Sequence, residues 1–440
     1  MYPQYSAISN HNYNDMEKQP LQGDNAYQQQ CHCANHNNTC YIESNARRRP
    51  SKLALFLFGF LGLIFLGHMF GYHCRGGGNR IGIINKPSPV EMNQEPITAN
   101  NILQANDMTS ANDNLSTNTC LGSDELTIPW EGKSTYYTPQ NIKSLKITEK
   151  YEHTNTKILK GDIVVVENKS LNQTKIKFDI TLDKEITNDQ FHIDETVKDK
   201  ELELTLVHEI DGFYGCIKIN ALIEVPSTDA LDVLNLGFIN DDITVKDVLK
   251  LNGSLALATA NGDITLSDSL LATSSINLAT SNGDLTTKNT ISAQAINLAT
   301  SNGDITVEKT ATSFSSINAA TSNGNIRGVF DLNQAKFNGN TAHGHIHITF
   351  DHIEPVSAIK LNSAKGNIDL QVPSDFESKY ELSTVVGKAD VEATDADKLH
   401  YKKTGHIVGE TIKGNYGEVE KNPSEIIMST VAGSVKLSYQ

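Results

Sequence analysis

Tryptophan occurs once in 440 residues, at Trp130, and cysteine six times. Six thiols are too few for a fold stapled by disulfides. Phe, Tyr and Trp together make up 7% of the chain, the lone Trp lies before the repeats, and Phe and Tyr are sparse within them, which argues against a cleft of unlike acidic and aromatic residues there. Basic residues are also scarce, 37 against 52 acidic, for a net charge of −15. Residues 1–80 hold 7 of the basic and 4 of the acidic groups, leaving 30 against 48, a net −18, in 81–440. That balance argues against a nucleic-acid partner and for a self-repelling surface. The sequence contains no G-x-S-x-G, H-E-x-x-H or phosphate-loop motif and no framed Cys/His pair. Nothing calls for a cofactor, and enzymatic activity is not expected.

One long hydrophobic run is present. Leu53–Phe70, "LALFLFGFLGLIFLGHMF", carries no formal charge over eighteen residues, about the minimum for crossing a hydrocarbon core. Arg47, Arg48, Arg49 and Lys52 precede it, so the N-terminus is expected in the cytosol. The C-terminal ectodomain then lies outside the cell or in a lumen. The run lies far from the N-terminus and no small-residue cleavage site follows, which favours an uncleaved signal-anchor. Gly67 and Gly71 form one G-x-x-x-G within the expected span, 53–72.

The expected organisation follows the composition. Residues 1–52, rich in Asn, Gln and Tyr, read as a disordered cytosolic tail. Within the tail, Cys31, His32, Cys33, His36 and Cys40 leave three readings open: a Zn²⁺ site, palmitoylation beside the membrane, or an inert tail. Residues 53–72 form a transmembrane helix and 73–125 a flexible linker. Asn114, Asn168, Asn172 and Asn252 head glycosylation sequons, all on the expected outer side. Cys120 and Cys216 are the candidates for one disulfide.

From Leu126 the apolar pattern has period two, as in Ile176, Phe178, Ile180 and Leu182, which reads as half-buried strands. Residues 126–230 are therefore expected to be β-rich. Beyond them a signature recurs at Asp241, Gly262, Gly283, Gly303, Gly324, Gly344, Gly366 and Gly387, at intervals of 20 to 22 residues. Apolar residues keep phase seven and five positions before each mark and two after it. Leu255, Leu257 and Ile264 are one such set, and Ile276, Leu278 and Leu285 the next. The tail repeats the pattern around Gly433. A fixed period with in-phase apolar positions marks a solenoid. The expected fold is all-β: a β-solenoid of about eight to nine coils of about 21 residues over 231–440, with the short β-rich region before it. Asn-Gly at the turns suggests positive φ at the corners.

The run "IEVPSTDALDVLNLGFINDDITV", followed by repeats of L-x-L-x-T-x-x-G-D-I-x-V, resembles the "putative-adhesin" family of β-solenoid domains of unknown function. That family occurs in bacterial cell-envelope proteins and in single-pass fungal membrane proteins. The resemblance covers about 140–440 and implies a fold; it transfers no catalytic residue. Asp241, in place of a turn glycine, and the irregular stretch 392–423 depart from the pattern.

Candidate chemistry lies on the outer faces. One position after each mark stand Asp242, Asp263, Asp284 and Asp304, then Asn325, His345 and Asn367. The carboxylates have three readings: caps for backbone amides inside each turn, Ca²⁺ ligands between coils (Asp263 and Asp284), or catalytic acids. Four equivalent carboxylates lack the unlike environments that acid–base pairs need, so amides are favoured. His345 and His347, with Asp369 on the next coil, could hold Zn²⁺ or Cu²⁺. The expected function is a membrane-anchored, non-enzymatic surface protein binding wall polysaccharide, cells or surface proteins. A carbohydrate-active β-helix enzyme, a lyase or hydrolase, is the alternative.

Overall fold

The computed structural model describes residues 31–33, 40–42, 126–151, 157–187, 190–209, 215–227, 230–405, 408–419 and 424–440. The chain divides into two compact units, 1–91 and 92–440. In the first, Cys31–Cys33 and Cys40–Ile42 pair antiparallel, with Cys33 opposite Cys40. The expected membrane span, the linker, His36, Asn114 and Cys120 lie outside the described residues. Among the described residues, no helix is long and apolar enough to cross a membrane. The described fold is all-β, with a single 3₁₀ turn at Ala396–Lys398 as its helical element.

The second unit is a stack of short parallel strands. Leu255 pairs with Leu234 on one side and Ile276 on the other; Ile296, Ile317, Phe337 and Ile359 follow in register. After the corner, Ile243, Ile264, Leu285, Ile305, Ile326, Ile346 and Ile368 form a second ladder. A third runs through Leu249, Leu270, Ile291, Ala311, Phe330 and Phe350. Strict alternation along each strand sends these side chains inward, where they form one continuous core. Where the column shrinks to Ala319 and Gly339, Phe330, Phe337 and Phe350 fill the space, with ring centroids 4.8 and 5.4 Å apart around Phe337.

Stacking begins earlier than the repeat. Ser144–Tyr151 pairs parallel with Val233–Phe238, and Asp162–Glu167 with Asp242–Val245. These two arms form a base coil, with Gly161 in the mark position. The residues between the arms put this coil out of phase with the period.

At the other end the order of stacking departs from the order of sequence. The tail strand Ser424–Ala432 lies between Ala358–Lys365 and Ser378–Val386, pairing parallel with both. Val435–Tyr439 likewise separates Ile368–Val372 from Ala389–Ala393. The insertion sets Lys436 between Asp369 and Asp390, avoiding two carboxylates in adjacent register.

Antiparallel strands close both ends. Lys175–Leu182 pairs with Cys216–Val225 and Phe191–Lys198 with Glu201–His208 at the base. Glu410–Tyr416 pairs with Ser378–Val386 and then with Leu399–Gly405 at the far end. The outermost strands, "FHIDETVK" and "LHYKKTG", are mostly exposed and carry charged side chains, which discourages edge-to-edge addition of further chains.

Candidate interaction surface

The corners define the outer surface. The mark glycines are needed for close approach. A Cβ at Gly283 would lie 2.0 Å from the carbonyl oxygen of Gly262. Positive φ, expected at every Asn-Gly corner, occurs at Gly366, Gly387 and Gly433 but not at the marks from Gly262 to Gly344. In that region the tight stacking of one coil on the next excludes any side chain.

Three residues before the marks, a buried hydroxyl column completes the corner. Thr280, Thr300, Thr321 and Thr341 donate to the carbonyls of Gly262, Gly283, Gly303 and Gly324 at 2.9–3.0 Å. Thr430 then donates to Gly366 and Thr384 to Gly433, following the stacking order rather than the sequence order. The Thr of L-x-L-x-T thus satisfies a carbonyl that would otherwise be orphaned inside the core.

The Asp column is also bonded between coils, not inside each turn. The backbone N–H of Asp263 donates to Asp242 Oδ1 at 2.7 Å, that of Asp284 to Asp263 at 2.8 Å, and that of Asp304 to Asp284 at 2.7 Å. The series continues through Asn325, His345 and Asn367 to the amide of Ser434. Each carboxylate therefore meets a fixed donor from its neighbour, which offsets the repulsion along the column. Lys160 lies 2.8 Å from Asp242 at one end, and this contact holds its ammonium above the ordinary lysine range. Arg327 lies 3.2 Å from Asp304 at the other.

Two amide ladders run beside it. Asn261, Asn282, Asn302 and Asn323 each donate through Nδ2 to the Oδ1 of the preceding corner, at 2.7–2.8 Å. Asn297, Asn318 and Asn338 do the same on the first-arm face, starting from Asn277. One N–H and one lone pair of most of these amides remain for an external hydrogen-bonding partner.

The histidine cluster separates into two contacts. His347 Nδ1 lies 3.2 Å from Asp369 Oδ2, whereas His345 Nδ1 accepts the amide of Asn367 at 3.1 Å. The expected Zn²⁺ or Cu²⁺ set of His345, His347 and Asp369 does not converge: no group of three or more His, Cys, Asp or Glu side chains forms a metal site among the described residues. Asp263 and Asp284, the residues of the alternative Ca²⁺ reading, each spend an oxygen on an amide of the next coil.

Of the sequon residues, Asn172 and Asn252 are exposed, while Asn168 is partly buried and donates to Glu224 at 2.6 Å. Cys216 is buried and disulfide-bonded. At the far end a recess of about 370 Å³ is lined by Lys379, Tyr380, Glu381, Lys413, Gly414, Asn415 and Glu425. Lys413 neutralises Glu381 there at 2.8 Å.

A buried acid escaped the reading of the sequence. Asp241 is fully buried and accepts the Gly161 amide at 3.0 Å. Nearby Glu149 contacts His208 Nε2 at 2.7 Å. Burial, and then the charge of Glu149, push Asp241 up to about 8. The sole signal in the sequence was an acid standing where the other marks are glycine.

Parallel strands stacked at a twenty-residue interval, with capped ends and a hydrogen-bonded polar corner, define a solenoid-like all-β repeat domain. The chain belongs to the Toastrack DUF4097 family, whose model matches residues 142–415. That family is one of unknown function. Solved structures resemble it at low identity. One is a "putative adhesin" from Parabacteroides merdae, 14% identical with a TM-score of 0.38, the match covering 70% of this chain and 97% of the other. Another is a "putative adhesin" from Bacteroides fragilis, 13% identical with a TM-score of 0.30, covering 70% and 98%. No curated protein matches the chain.

Proposed function

We propose that this chain is a single-pass membrane-anchored surface protein that uses its repeat domain as a non-enzymatic binding module for wall polysaccharide, cells or surface proteins. Leu53–Phe70 acts as the anchor and places the domain outside the cell or in a lumen. The observation that carries the non-enzymatic reading is the uniform use of the Asp column. Asp242, Asp263, Asp284 and Asp304 each accept the equivalent amide of the next coil. Hydrolysis of a glycosidic bond needs two carboxyl groups in unlike environments. The ladders instead offer repeated, modest hydrogen-bonding groups along one direction, which suits an extended hydroxyl-rich polymer or a flat protein face. Affinity then comes from many weak contacts in series.

The test is retention of the purified full chain on a glycan array and on intact cells. Binding is expected to persist with Asp263→Asn and Asp284→Asn combined. Loss of a lyase or hydrolase activity in that double variant would reverse the assignment.

A further inference from the structure

Three buried ionisable side chains meet where the base coil joins the first repeat. Glu149 comes from Ser144–Tyr151, His208 from Glu201–His208, and Asp241 from the corner before Asp242–Val245. All three are shielded from solvent. Glu149 has a partner on each oxygen: His208 Nε2 at 2.7 Å on one and the Ile239 amide, a fixed donor, at 2.8 Å on the other. His208 packs against Phe191, which meets Trp130 edge-on.

Asp241 is served differently. Its Oδ1 accepts the Gly161 amide, while its Oδ2 is buried with no hydrogen-bond partner. A side chain at position 161 has no room, because a Cβ would lie 1.8 Å from the Ile219 carbonyl oxygen and 2.7 Å from Asp241 Oδ1. The other charges that act on Asp241 are carboxylates: Glu149, Asp162 and Asp242. The nearby ammonium of Lys160 is paired with Asp242. An ionised carboxylate with a bare oxygen in such a site costs far more than a neutral carboxyl. Of the two acids, Glu149 has a partner on each oxygen while Asp241 keeps one bare, so the proton belongs on Asp241.

We propose that Asp241 is a protonated carboxyl at neutral pH, and that Glu149, His208 and Asp241 form a proton-operated latch closing the N-terminal cap onto the coil stack. While the proton is held, the base coil and the first repeat stay joined through Gly161 and Ile239. When it leaves, Asp241 becomes a buried carboxylate with a bare oxygen in the field of Glu149, and the junction loosens. The direction follows from linkage. Burial and Glu149 raise Asp241 to about 8 in the folded chain, against about 3.9 when unfolded. The closed form therefore holds one extra proton between these values. Its stability is full in acid, falls as pH rises through that window, and levels off above pH of about 8.

Hydrogen exchange of the full chain tests this, reading the Gly161 and Ile239 amides against Leu298 and Ile317 in the central coils. After correction for intrinsic exchange, the opening constant at Gly161 and Ile239 is expected to rise about tenfold per pH unit until about pH 8 and then level. Asp241→Asn, which mimics the neutral acid, is expected to remove that slope. Protection independent of pH in the native chain overturns the proposal, as does a slope that persists unchanged in Asp241→Asn. Should that variant not fold, Glu149→Gln serves: removing the neighbouring anion is expected to move the levelling point to lower pH, and an unmoved point counts against the latch.

Discussion

At the residue scale, the repeat is held by polar groups that bond to the next coil at fixed positions. The buried hydroxyl of Thr300 donates to Gly283 at 3.0 Å. Thr300→Val keeps the shape and leaves that carbonyl unpaired, so chemical denaturation is expected to report a loss of about 1–3 kcal/mol. The Asp column makes the opposite prediction. Its repulsion is offset by amides already present, so a chelator is expected to shift the melting temperature by no more than about a degree. A fall of many degrees in the chelator scan would assign the column to Ca²⁺. The in-phase Leu and Ile positions were legible because burial on one side imposes period two. The Thr of L-x-L-x-T was visible as a repeated letter, but a β-branched residue suits any strand position, so its bonding role did not follow from the pattern. The direction of the Asp bonds needs the relative height of adjacent coils, which no single repeat encodes. The role of His345 needed the same information: it stands in the Asp column and captures the Asn367 amide.

At the scale of elements, inside and outside are set by strand alternation. Leu278 is buried between Leu257 and Leu298, whereas Asn277 belongs to the outer amide ladder. Leu278→Asp buries an unpaired charge and is expected to cost about 3 kcal/mol or more. Asn277→Asp keeps an acceptor for Asn297 and is expected to cost under about 1 kcal/mol. Equal losses in urea would mean that the register is wrong. The place of the tail was not legible, because Ile426, Met428, Val435 and Leu437 repeat the same phase and fit any level of the stack. At the level it takes, Lys436 stands in register beside Asp369 and Asp390 and pairs with Glu392 at 2.7 Å, and the antiparallel closure of Ser378–Val386 by Glu410–Tyr416 occupies the other edge of that strand. Cross-linking distinguishes the two orders. Cysteines at Lys360 and Ile427, partners in register, are expected to form a disulfide on mild oxidation, since neighbouring strands lie about 4.8 Å apart. Cysteines at Lys360 and Glu381 are expected not to, because the tail strand lies between them.

At the scale of the whole molecule, the proposal joins a sequence-based anchor to a repeat domain. The two halves call for separate tests. A tag at the C-terminus is expected to be labelled by antibody on intact cells or in protected vesicles, while an N-terminal tag is not; reversed labelling would invert the orientation read from Arg47, Arg48 and Arg49. Binding without catalysis is the central claim. It is tested most directly by incubating the full chain with each polysaccharide it retains and weighing the released sugars by mass spectrometry. The expected result is bound polymer of unchanged length and mass. Shortened chains, or unsaturated ends one water lighter than the corresponding hydrolysed sugar, would contradict it and make the outer face a catalytic one.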